Sequence, residues 1–111
     1  LDDWIARIRS RDAMVFEDTY HGERPSGSEV IPRLIAEMRS AADLYTRGKF
    51  AELLGEMGDA SVVPYLIEEL SCSDTRLWAV FALHKLGDAA GVRAAAACRI
   101  QHPEASRRLD S

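Results

Sequence analysis

The chain has 111 residues, 47% hydrophobic and 29% charged, a balance that specifies one globular domain and excludes a disordered or fibrous chain. Its net charge of −4 argues against a general phosphate-binding surface, which needs clustered Lys and Arg, so nucleic acid is not an expected partner. No run of about 18 apolar residues occurs, so no membrane-spanning helix is expected.

The opening stretch, LDDWIARIRSRD, is charged from its second residue and lacks the apolar core of a signal peptide, so a cytoplasmic protein is expected. Residues 2–9 and 12–20 read as two short helices, with Trp4, Ile5 and Ile8 on the first and Ala13, Val15 and Phe16 on the second. Arg7, Arg9 and Arg11 form a local basic patch, but Asp2, Asp3 and Asp12 flank it, as on a solvated helix face. HGERPSGS, residues 21–28, reads as a loop.

From here the chain repeats itself. LGEMGDA at 54–60 returns as LHKLGDA at 83–89. At an offset of 29, Arg47 pairs with Arg76, Leu54 with Leu83, Gly58 with Gly87 and Asp59 with Asp88. Upstream the offset is 32, and Val30, Pro32, Leu34, Ile35 and Glu37 pair with Val62, Pro64, Leu66, Ile67 and Glu69. The three-residue difference falls between RSAADLYT and SCSDT, which means a longer turn or an earlier helix start in the first copy. A period near 30 with an indel confined to a joint is the pattern of stacked repeats.

Each copy reads as two helices, predicted at 28–39 and 43–57, then 60–70 and 74–86. Ser28 and Asp74 are the expected N-caps of the first and last of these, and Pro32 and Pro64 fall near first turns, where a missing N–H costs least. Leu34, Leu54, Leu66, Ile67, Leu83 and Leu86 sit at the centres of apolar stripes and are expected to be fully buried. Gly58 and Gly87 are expected to close helices in the left-handed conformation, and Asp59 and Asp88 to cap the helices that follow. Gly48 and Gly55 lie inside a predicted helix, where tight helix packing explains them better than a ligand. An Ala-rich helix is predicted at 89–101 and a short turn at 104–109. The expected architecture is an all-α, α-α superhelix: one domain, 1–111, of three to four antiparallel pairs with units near 1–27, 28–58, 59–87 and 88–111.

Val63, Pro64, Leu66, Ile67, Leu70, Asp74, Arg76, Ala79, Ala82, Leu83, Leu86, Gly87 and Asp88 carry a pattern that resembles short HEAT-like repeats of the kind found in phycobilisome lyases. The copy at 30–59 matches less strictly, with Gly48 and Lys49 where Leu77 and Trp78 stand later. The resemblance implies a right-handed, armadillo-type solenoid with first helices of each pair convex and second helices concave. It also implies a ladder between units from Asp74, Arg47 and Arg76.

Catalytic motifs are absent. His21, His84 and His102 form no i, i+4 pair and no His-Glu dipeptide, unlike the metal hydroxylases that resemble this fold. Glu52 and Glu56 at i, i+4 read as a solvated face rather than an acid–base pair. Cys72 and Cys98 lack C-x-x-C spacing and read as reduced thiols. No cofactor, metal or small-molecule ligand is expected, and the chain reads as a non-enzymatic scaffold that binds another protein. Two alternatives follow from the resemblance: a lyase-like or chaperone subunit that holds a prosthetic group, and a toxin-neutralising immunity protein. The candidate partner-binding residues are Trp78, Phe81 and Lys85, with Lys49, Glu52 and Glu56 as their counterparts one unit earlier.

Overall fold

A computed structural model describes residues 1–103. The described residues are all helical, with no strand: α1 (Asp2–Ile8), α2 (Ala13–His21), α3 (Val30–Ser40), α4 (Leu44–Met57), α5 (Val63–Glu69), α6 (Arg76–Leu86) and α7 (Ala89–Gln101), with a 3₁₀ turn at Ala60–Val62 before α5. The expected turn at 104–109 lies outside the described residues. Consecutive helices pair, α1 with α2, α3 with α4 and α5 with α6, while α7 packs on both α5 and α6. The most extensive contact joins α4 to α6, the second helices of successive pairs. Leu34, Leu54, Leu66 and Leu83 are fully buried, as the stripes require. Ile67 and Leu86 are only half-buried. Ile67 faces an open hollow toward the small alanines of α7, and Leu86 is the last residue of its helix.

The three-residue indel is an earlier helix start. The Arg47 that matches Arg76 is preceded by Leu44, Tyr45 and Thr46 within α4, whereas Arg76 itself opens α6. The Gly-Asp joints work as starters in both copies. Asp59 accepts from the Ser61 N–H at 2.9 Å, and Asp88 accepts from the Ala90 and Gly91 N–H groups at 3.0 and 3.2 Å. Their glycines differ. Gly87 is left-handed at φ 69°, but Gly58 is extended at φ −82° and ψ −178°. Gly58 is required for room instead: a Cβ there would lie 2.5 Å from the Leu54 carbonyl and 2.7 Å from Val62.

Two expected caps are corrected. Ser28 does not cap α3; it lies in a turn closed by the Val30 N–H on the Gly27 carbonyl at 3.3 Å, and Glu29 takes the cap position. Asp74 is exposed and does not cap α6; Thr75 holds the cap position and turns its hydroxyl away, donating to Glu69 at 2.9 Å.

That bond belongs to the polar joint between pairs, in which Glu69 rather than Asp74 is the acid. Glu69, 4% exposed at the end of α5, accepts from Thr75 and from both Nε and Nη2 of Arg47 on α4, the former at 2.8 Å. Burial alone would push the Glu69 carboxyl up, but the Arg47 and Thr75 hydrogen bonds and the Arg47 charge outweigh it and hold it below the usual range. Glu37, its counterpart in the repeat, accepts from Arg33 at 3.0 Å and from Arg9 at 3.4 Å. The second matching arginine, Arg76, donates to the Leu70 carbonyl at 2.8 Å and so closes the turn of its own pair.

Small residues let α4 and α6 approach. A Cβ on Gly55 would lie 2.6 Å from Ala82 Cα and 2.8 Å from Ala82 Cβ, so the α6 backbone itself blocks it. Gly55→Ala is therefore expected to destabilise the protein by about 1–3 kcal/mol, overpacking outweighing the better helix propensity of Ala. Gly91→Ala meets side chains rather than backbone, the end of Leu83 at 2.9 Å and a Val63 methyl at 3.3 Å, and should cost less than Gly55→Ala, about 1 kcal/mol or below. Urea titration of both variants checks the contrast.

The Glu69 joint makes a pH prediction. Its folded carboxyl titrates below the unfolded value of about 4.3, so its stabilisation is present above that pH and is lost as pH falls through the folded value. Glu69→Gln should cost about 3 kcal/mol at neutral pH, because it leaves Arg47 without its charge partner. It should also flatten the acid limb of stability against pH below about 4.3, measured by denaturant midpoints across that range.

Candidate functional site

The face formed by α4 and α6 carries the candidate residues. Trp78 lies on Gly48: a Cβ at Gly48 would come within 2.6–2.9 Å of Trp78 Cδ2, Cε2 and Cε3. The absent side chain on α4 thus seats the indole, which is half-buried. One turn along α6, Phe81 remains 45% exposed. Trp78, Phe81, Ala82 and Lys85 of α6 and Glu52 of α4 line a slot of about 230 Å³. The repeat explains why these residues meet. Glu52 and Phe81 occupy one register, as do Glu56 and Lys85, and the close contact of α4 with α6 sets the two registers side by side.

At one end, Lys85 Nζ donates to Glu56 Oε1. Arg24, from the loop after α2, reaches the other Glu56 oxygen at 3.7 Å. The Lys85 hydrogen bond is the main influence holding the Glu56 carboxyl below its usual range. Arg24 also donates to the Tyr20 carbonyl at 3.2 Å and lies 5.2 Å from the Tyr20 ring centre. Tyr20 is buried, and its phenol is pushed up to about 12 by burial first and then by the charges of Glu52 and Glu56, with Arg24 opposing.

Lys49 does not join this strip. It is 5% exposed, and its Nζ donates to the carbonyls of Ile8 at 3.5 Å and Ser10 at 3.3 Å. The ammonium lies 4.1 Å from the Phe16 ring centre and 4.3 Å from that of Tyr45. Burial pulls its pKa below the usual lysine range, against the attraction of Asp43. Lys49 and Trp78 occupy one register, and each points back to the preceding pair, Lys49 to the end of α1 and Trp78 to α4. That equivalence was the signal for the buried role of Lys49; its charge concealed it.

The histidines lie on separate elements: His21 makes an exposed pair with Glu17 at 3.1 Å on α2, His84 is exposed on α6, and His102 follows α7. Cys72 and Cys98 form no disulfide. The described residues contain no group of His, Cys, Asp and Glu able to hold a metal ion, and no helix among them is long and apolar enough to cross a membrane. Compared with models of known protein families, with curated proteins and with solved structures, the chain finds no match.

Proposed function

We propose that this chain is a non-enzymatic protein-interaction module made of HEAT-like helix pairs, stacked as a right-handed armadillo-type superhelix with α4 and α6 on its concave side. The repeat in the sequence supports the stacking, as do the pairing of consecutive helices and the close contact between the second helices of successive pairs. The observation that carries the binding role is Phe81. A large aromatic residue is left 45% exposed beside a half-buried tryptophan, in a slot rimmed by charged side chains. Aromatic residues flanked by charge are enriched at the centres of protein interfaces. The partner is another protein, engaged through Trp78, Phe81, Glu52 and Lys85. Glu56 orders the rim, and Lys49 supports the site from the rear by docking the first helix pair.

Phe81 is the sharper probe, since Trp78 also fills the space above Gly48. A photocrosslinking residue at position 81 should capture a partner in the native host. The same residue at position 100, where Ile100 is 81% exposed on α7, should not. Phe81→Ala, in a chain without the crosslinker, should abolish retention of that partner in a pull-down while changing stability by less than about 0.5 kcal/mol. Crosslinks at position 100 with none at 81 would move the interface to the α7 face.

A further inference from the structure

The charges around the slot are unevenly matched. Glu56 takes both nearby cations, Lys85 and Arg24. Glu52, one turn earlier on α4, is exposed and makes no ion pair to a cation among the described residues. A carboxylate without an ion pair therefore lines a slot whose other walls are the aromatic side chains of Trp78 and Phe81, with Ala82 and the Lys85 side chain beside them. Aromatic faces attract cations through their quadrupoles, and a carboxylate in the same slot adds a counter-ion. At about 230 Å³ the slot is sized for a single side chain and not for a helix.

We propose that the slot between α4 and α6 accepts one cationic side chain, arginine or lysine, of the partner protein, with Glu52 as its counter-ion and Trp78 and Phe81 as its walls. The proposal rests on the reading of this face as a protein interface and adds the chemistry of what enters it. The chain's net charge of −4 favours approach of a basic partner over long range. The Lys85 ammonium is held on Glu56, one turn along α4 from Glu52. Planar guanidinium suits the site best, since it can stack on the indole and present a fork to Glu52 at once.

The test uses the full chain and two short probes, acetyl-Gly-Arg-Gly-amide and acetyl-Gly-Leu-Gly-amide, followed by the tryptophan indole N–H resonances. Trp78 lines the slot, whereas Trp4 is 6% exposed on α1 and serves as an internal reference for folding. The arginine probe should shift the Trp78 signal saturably and leave Trp4 in place. The leucine probe should bind at least about fivefold more weakly, and Glu52→Gln should cost the arginine probe about fivefold in affinity. Equal binding of both probes, or an unchanged affinity in Glu52→Gln, overturns the cation assignment and leaves an apolar interface standing. A Trp78 signal unmoved by either probe also overturns it, while capture at position 81 judges the interface independently.

Discussion

The close approach of α4 and α6 is the constraint on which the rest of the molecule depends. Helices can touch at backbone distance only where side chains are removed, and here Gly55 faces Ala82 while Gly48 faces the Trp78 ring. These glycines give up helix propensity, about 1 kcal/mol each relative to Ala. In return Ala51, Leu54, Ala79 and Leu83 are fully buried between the second and third pairs. The same contact makes the slot, because it brings Glu52 and Glu56 of one helix beside Phe81 and Lys85 of the next. The packing that stabilises the stack and the geometry that could bind a partner thus share one seam.

Polar contacts then fix which helix meets which. A greasy stripe alone would tolerate sliding by a turn. The Arg47–Glu69–Thr75 group tolerates none, since a shift would strand a buried carboxylate. Lys49 plays the same part toward the first pair, spending its ammonium on the Ile8 and Ser10 carbonyls left unpaired past the end of α1. Arg33 with Asp2 and Arg9 with Glu37 add surface pairs across that joint. Such exposed pairs are worth little individually, so buried Lys49 and the apolar Trp4, Ile5 and Ile8 hold the first pair in place.

Most helix positions were legible in the sequence because they rest on periodicity. Leu34, Leu54, Leu66 and Leu83 are buried for the reason their spacing implies. The duplicated Gly-Asp phrase announced joints, and both aspartates cap the element that follows. What was not legible was the routing of hydrogen bonds, which depends on neighbours distant in sequence. Asp74 looked like a cap until Glu69, folded in from α5, claimed the Thr75 hydroxyl beside it. Gly58 looked left-handed until Val62 and the Leu54 carbonyl closed around it. Of the candidate site, Trp78, Phe81, Lys85 and Glu52 came together because repeat register predicts adjacency. Lys49 failed because register also predicts which residues face the preceding unit, and a positive charge there read as surface.

Native-state hydrogen exchange measures the α4–α6 seam most directly. If that contact organises the domain, the central amides of α4 and α6 exchange only through global unfolding, with a single shared free energy, while α1, α2 and α7 open at lower cost. Protection of α4 and α6 at clearly different free energies, or greatest protection in α7 or the first pair, would contradict the seam as the core of the structure.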